Sequence, residues 1–224
     1  MSNALFTFAK DDMICETYPT GGLGCNTSLL YSQKTRETII VDPGNDFEFL
    51  KNMIEKKSLK VLHYIHTHAH FDHIGRTPDL MAYMPAQCWL HRKDFFLYEA
   101  LPLQARYFGA TAANPIPLED DLKDDQEFSL GSLSLLKTIH TPGHTPGSCS
   151  FFSEVFDGPL CFSGDTLFKQ SIGRTDLPGG DSQLITKSIR GRLYSLPDET
   201  ICIPGHGPLT LLHEEKRFNP YVRA

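Results

Sequence analysis

The sequence has no CxxC pair, no GxSxG turn, no excess of basic residues and no apolar run near the ~18 residues that span a membrane. Each absence removes a class. The six cysteines (Cys15, Cys25, Cys88, Cys149, Cys161 and Cys202) are scattered along a chain too long to need a disulfide framework. No signal-peptide pattern opens the chain, so reduced, mostly buried thiols and a cytoplasmic location are expected. Without GxSxG, and with only Cys149 in a motif loop, no Ser-His-Asp or Cys-His nucleophile is expected. Lys and Arg total 21 against 27 Asp and Glu, a net charge of −6. That argues against a nucleic-acid footprint. An anionic substrate would need a local positive site, from a metal or from a few Arg and Lys.

What is present is a composition able to build a packed core. Of 224 residues, 40% are hydrophobic and 21% charged, enough for one large domain or two small ones. The opening MSNA has the look of an expression remnant and carries no weight. TSLLYS (27–32) and ETIIVD (37–42) read as strands, and 46–57 has helical spacing after the breaking Pro43-Gly44. VLHYIHT (61–67) reads as a buried strand running into a helix, HIGRTPDLMAYM. Further strands are expected at 87–91, 132–140, 148–154, 159–165 and 199–205, with loop and helix over 92–120 and an amphipathic helix over 182–196. Strands in two groups, each with helices beside them, suggest two sheets packed face to face with helices outside.

The densest chemistry is HTHAHFDH, residues 66–73. Imidazole is costly to bury alone and is the commonest metal ligand. His68, His70 and Asp72 recur at a spacing of two, which on extended backbone puts them on one side. His73 must then point elsewhere, so one turn can serve two ions. The plain alternative is a polar helix cap, which accounts for Asp72 but not for the imidazoles. More donors stand at later strand ends, each beside Gly or Pro: His140 and His144 in HTPGHTPGS, Asp165 in SGDTLF and His206 in PGHGP. Singly each is an ordinary turn. Together they place His or Asp at four strand ends on one edge, where ligands bind in α/β layouts.

In order, VDPG (41–44), HTHAHFDH, TPGHTPGS, SGDTLF and PGHGP resemble the motifs of the metallo-β-lactamase superfamily over about residues 25 to 210. The resemblance implies an α/β fold: an αββα four-layer sandwich, two mixed β-sheets flanked by helices, as a single domain over 1–224. It implies two divalent ions, zinc by default with iron or manganese as alternatives. His68, His70 and His144 would hold one ion and Asp72, His73 and His206 the other. Asp165 would bridge them, and Asp72 and Asp165 would be the catalytic carboxylates. His63, His66 and His140 are then packing or supporting residues, and His91 and His213 unremarkable. Asp42 either orients a histidine ligand or only forms the turn before Pro43.

GRTDLPGGD (173–181) and the ending GHGPLTLLHEEKRFNPYV (205–222) resemble the short glyoxalase II-like branch. That implies a metal-bridged hydroxide attacking a small-molecule thioester, typically a hydroxyacylglutathione. The extra C-terminal helical domain that clamps glutathione in long forms is not expected. Arg174 stands where the family loop has a basic substrate-binding residue; its alternative is an ion pair with Asp176 or Asp181. The expected protein is a monomer or small homo-oligomer. Two other readings stand beside it: a mononuclear-iron persulfide dioxygenase, which shares the motifs and would use His68, His144 and Asp165, and a lactonase, which would need the same water chemistry. A metal-binding scaffold without turnover would be expected to have lost ligands. In LPLQARYFGATAANP (101–115), Arg106, Tyr107 and Phe108 are candidates for a pocket rim, with ordinary helix packing as the preferred reading.

Overall fold

Two strands precede everything expected from the sequence: β1 (Phe6–Lys10) and β2 (Met13–Thr20). They occur in a computed structural model that describes residues 4–118 and 120–224. Met1–Asn3, most of the MSNA stretch, lie outside the described residues, as does Glu119 in the 92–120 stretch. β1 is an edge strand with no fully buried residue, so it carries no burial signal to read. β3 (Cys25–Ser32) and β4 (Glu37–Val41) follow. Helix α1 (Phe47–Lys57) begins at Asp46, whose side chain accepts from Phe49 N, and ends at Ser58 in a left-handed conformation. β5 (Lys60–Ile65) leads into the histidine loop.

The single helix expected after that loop is two pieces, α2 (Phe71–Ile74) and α3 (Thr77–Tyr83). The chain turns at Gly75 and Arg76, and Pro78 restarts the helix in its first turn, where its missing N–H costs nothing. β6 (Gln87–Leu90), α4 (Phe95–Glu99), α5 (Leu101–Tyr107) and β7 (Asp120–Asp121) complete the first half. The first sheet has the order β1-β2-β3-β4-β5-β6-β7, antiparallel up to β4 and parallel beyond it.

The second half gives β8 (Glu127–Leu130), β9 (Leu133–His140), β10 (Cys149–Ser153) and β11 (Leu160–Gly164). A small hairpin, β12 (Leu167–Phe168) and β13 (Ser171–Ile172), comes next. The helix expected over 182–196 is shorter: α6 (Ser182–Ser188), continuing as a π-type turn over Ile189–Leu193. β14 (Ile201–Pro204), β15 (Thr210–Leu211) and α7 (Leu212–Phe218) end the chain. The second sheet has the order β15-β14-β11-β10-β9-β8, with β11 and β14 parallel and the other pairs antiparallel.

Period-two patterning sets the layers. Leu30, Ile39, Val41 and Ile65 of the first sheet meet Leu136, Phe151, Phe162 and Ile203 of the second in one buried cluster. Their neighbours Leu29, Ile40 and Tyr64 face the other way, onto Leu50 and Ile54 of α1 and Leu80 of α3. On the far side Cys161 and Cys202 pack under Ile185, Ile189 and Leu212. Each such fully buried aliphatic or aromatic side chain contributes about 1.5–3 kcal/mol. The result is helix, sheet, sheet, helix: an αββα four-layer sandwich of two mixed sheets. All six cysteines are buried and none forms a disulfide.

Candidate metal centre

Parallel pairing puts the C-terminal ends of β4 and β5 at one edge of the first sheet, and those of β11 and β14 at one edge of the second. The loops that leave these ends carry His and Asp, and they converge. Nε2 of His68 lies 3.0 Å from Nδ1 of His70, which is 2.9 Å from Nε2 of His144. A tetrahedral ion bound at ~2.0–2.1 Å would hold its donors ~3.3 Å apart, so these three nitrogens already approach that spacing. A second cluster adjoins the first. Nε2 of His206 is 3.0 Å from Asp72 Oδ2 and 3.2 Å from Nε2 of His73. Asp165 stands between: Oδ1 is 3.4 Å from Nε2 of His73, and Oδ2 is 3.6 Å from Nε2 of His144.

His70 sits on extended backbone, as the spacing suggests, but Asp72 does not. It lies in the first turn of α2, and that turn is what sends Asp72 and His73 together toward His206.

The rings are oriented from behind. His73 gives its Nδ1 proton to Asp42, at 3.0 Å. Nδ1 of His144 donates to the Arg174 carbonyl at 2.7 Å, and Nδ1 of His206 donates to the Leu23 carbonyl at 3.2 Å. Thr67 Oγ1 donates to Asp42 Oδ2 at 2.7 Å and so accepts from His68 Nδ1 at 3.0 Å. In all four, the partner of Nδ1 leaves the Nε2 lone pair facing the centre, as metal ligation needs. Asp42 adopts φ 47, and its Oδ1 accepts from Thr67 N at 2.7 Å. It therefore orients His73 and also braces the histidine loop.

The charges are crowded. Burial, then neighbouring imidazoles, push His68 well down and His70 to about 3. Burial opposes charge on His73 too, but Cys25, Asp72, Asp165 and Asp42 outweigh it and hold His73 well above its ordinary value. His206 is raised as well: burial works against it, and Asp72 and Asp165 prevail. Asp72 moves the opposite way, far below the ordinary carboxylate range, because His73, His206 and His70 offset its burial. Two carboxylates facing one point, Asp72 and Asp165, with Asp42 behind His73, make a negative pocket that divalent cations match. Asp165 Oδ1 is buried and accepts no hydrogen bond, which is costly unless a cation meets it. Gly205 makes room for it, since a Cβ there would overlap Asp165 Oδ1 and His73 Cε1. The donor set fits two metal ions.

Other residues hold the loops, and sequence reasoning passed over them. Asp94 is fully buried and joins the two histidine loops. Its Oδ2 accepts from Ala69 N and Thr145 Oγ1, and its Oδ1 from Gly147 N. Buried Asn26 ties down the last loop by donating to the Pro204 and Gly207 carbonyls. His66 packs between the Trp89 carbonyl and Thr77, and His63 contacts Trp89 and Phe128. His140 stacks on His91 at 4.3 Å, away from the two clusters. His213 is exposed, 3.3 Å from the Asp198 carbonyl.

A cavity of about 620 Å³ opens beside the clusters. Arg174 lines its mouth, with two 2.7 Å bonds to Asp176, while Asp181 caps α6 instead. Tyr107 and Phe108 also line it; Arg106 does not. Ordinary helix packing accounts for buried Leu101 and Ala105 in 101–115, but not for Tyr107, which is 82% exposed.

Known proteins resemble this chain in sequence and fold. Residues 20–206 match the family model described as the metallo-beta-lactamase superfamily. Hydroxyacylglutathione hydrolase GloC of Haemophilus influenzae is 36% identical over 219 residues, 95% of this chain and 99% of that protein. The crystal structure of the BLEG-1 B3 metallo-beta-lactamase aligns with a TM-score of 0.84 at 36% identity, covering 94% of this chain and 100% of its own. TTHA1623, solved in a di-iron-bound form, aligns at 0.81 and 36% identity, covering 91% and 98%. By motif order, fold and sequence, this chain belongs to the metallo-beta-lactamase superfamily.

Proposed function

We propose that the chain is a binuclear metal-dependent hydrolase that cleaves thioesters of the hydroxyacylglutathione type. One observation carries the reading: two His/Asp clusters lie side by side, and each oxygen of Asp165 faces one of them. In this reading His68, His70 and His144 hold one ion, Asp72, His73 and His206 hold the other, and Asp165 joins them. When bound, such ions supply a water of pKa ~7 as nucleophile and an electrophile for the thioester carbonyl. Zinc is the metal proposed, with iron and manganese as alternatives that the same donors accept.

The residues have distinct tasks. Asp165 fixes the separation of the two clusters, and Asp72 and Asp165 are the carboxylates at the reacting atoms. Asp42 keeps the proton on His73 Nδ1, so Nε2 remains a ligand. The thiolate leaves without a strong general acid. Arg174 sits at the cavity mouth, exposed, in an ion pair of the kind worth only about 0–1 kcal/mol. It can exchange Asp176 for a carboxylate of the carrier at little cost. GloC supports glutathione as that carrier, being a hydroxyacylglutathione hydrolase by name. The reading takes residues 1–224 as one catalytic domain acting on a small molecule in the cytoplasm, as a monomer or small homo-oligomer.

The persulfide dioxygenase reading would use only His68, His144 and Asp165 and leave Asp72, His73 and His206 without a ligand role. Their 3.0 and 3.2 Å convergence favours the hydrolase. A lactonase would share the water chemistry and is separated by substrate. The test is hydrolysis of S-lactoylglutathione. His70→Ala should lower both bound metal and kcat/KM, the latter more than about 100-fold. Activity at the wild-type level in that variant would refute the reading.

A further inference from the structure

We propose that the acyl half of the substrate is bulky and apolar, and that it seats in the cavity walled by α4, α5 and the loop at Leu177. The identity of the reacting bond rests on the thioester-hydrolase reading; the character of the seat does not.

Position comes first. His70, Asp72, His144 and Asp165 form the inner end of the cavity. Whatever fills it is therefore continuous with the group at the metal centre. The outer wall is Phe96, Leu97, Leu103, Tyr107, Phe108 and Leu177. Leu103 is 70% exposed, Tyr107 82%, and Phe96 and Phe108 47% each. Large apolar side chains left open around one mouth mark a ligand site. They are held in place: Phe108 stacks on Phe71 at 5.5 Å, and Phe71 opens the helix that carries Asp72 and His73.

Polarity decides the occupant. Gln104 also lines the cavity, but its amide is committed. Nε2 donates to the Ala69 and Leu97 carbonyls, and Oε1 accepts from Phe71 N. It has little left to offer a ligand. Among the described residues lining the cavity, the one Lys or Arg is Arg174, at the mouth and paired with Asp176. A glutathionyl carrier, with two carboxylates and an ammonium, would lose its hydration on this wall and gain no partner. It stays at the mouth beside Arg174, and the acyl group takes the apolar seat. Size agrees. A cavity of about 620 Å³ is of the scale that encloses a drug-sized body, whereas a three-carbon lactoyl group would leave most of it to water.

The experiment compares S-mandeloylglutathione with S-lactoylglutathione, which share carrier and 2-hydroxyl and differ as phenyl against methyl. The mandeloyl thioester should show kcat/KM at least about tenfold higher. Leu103→Glu, at a 70% exposed position the core does not need, should bring that ratio to about one. A wild-type ratio of one or less, or a ratio untouched by the substitution, overturns the proposal. Calorimetric binding of mandelate and lactate, the product acids, to the metal-loaded protein gives a readout independent of turnover. If neither thioester is cleaved but mandelate binds at least about tenfold tighter than lactate, and Leu103→Glu removes the difference, the seat stands and the thioesterase reading falls. Equal binding of the two acids overturns the seat itself.

Discussion

Replacing Asp94 by asparagine should weaken the fold by about 2–3 kcal/mol and loosen the joint between the two histidine loops. The wild-type carboxylate serves three donors: Gly147 N at 2.6 Å on one oxygen, and Thr145 Oγ1 at 2.7 Å and Ala69 N at 3.1 Å on the other. An amide has one acceptor oxygen. Whichever way the substituted side chain turns, its NH2 group faces a backbone N–H, and at least one buried donor goes unsatisfied at about 1–3 kcal/mol. The remaining bonds also lose their charge assistance, about 1 kcal/mol each. Against this, burial already pushes the Asp94 carboxyl above the ordinary carboxylate range, a cost the amide escapes. For a chain of this length about 1 kcal/mol moves Tm by about 2–4 °C, so a drop of about 4–12 °C is expected. Thermal and urea unfolding followed by circular dichroism measure it. Because Ala69 lies between His68 and His70, and Gly147 lies three residues after His144, metal affinity should also fall by about 10–100-fold. A Tm within about 2 °C of wild type, with unchanged metal affinity, would refute the reasoning.

His91 gives a pH test. Burial first, then the stacked His140, push it down to about 4, below the ~6.5 of an unfolded chain. Protons then favour the unfolded state, so stability present above ~6.5 is lost as pH falls through about 4. Nδ1 of His91 accepts from Lys93 N, and His91→Asn keeps such an acceptor without a proton to bind. The variant should lose less stability than wild type between pH 7 and 4.5 in urea titrations; equal losses would contradict the argument. Arg174→Ala should raise KM for S-lactoylglutathione about 3–10-fold, since it removes one exposed charge contact. An unchanged KM would leave Arg174 only its ion pair with Asp176.

The histidine and aspartate motifs were legible because each stands at a strand end beside Gly or Pro, where burial patterning stops and unusual residues show. Sheet topology then does the work that sequence order cannot show, bringing residues 68, 144, 165 and 206 together. Asp42 was legible only as one of two readings, because an Asp before Pro43 is also a plain turn former. Asp94 was not legible. HRKD reads as a helix start, and the partners of Asp94 lie 25 and 53 positions away in sequence. Periodicity also misled at the cavity. In LPLQARYFG the apolar residues have helical spacing, and that signal is the same whether the face meets a core or an open mouth. Two adjacent aromatics ahead of Gly109, which takes φ 69, were the available hint that the helix ends with its aromatics exposed. The break between α2 and α3 was signalled by Thr77-Pro78, a helix-start pair embedded in an otherwise helical stretch.

In the proposed centre, seven donors form two adjoining sites sharing Asp165. Metal content per chain, measured by elemental analysis on protein purified without added metal, tests it most directly. About two equivalents of zinc, iron or manganese are expected, falling to about one or fewer in Asp165→Asn. About one equivalent of iron alone, with oxygen consumed in the presence of glutathione persulfide, would contradict it.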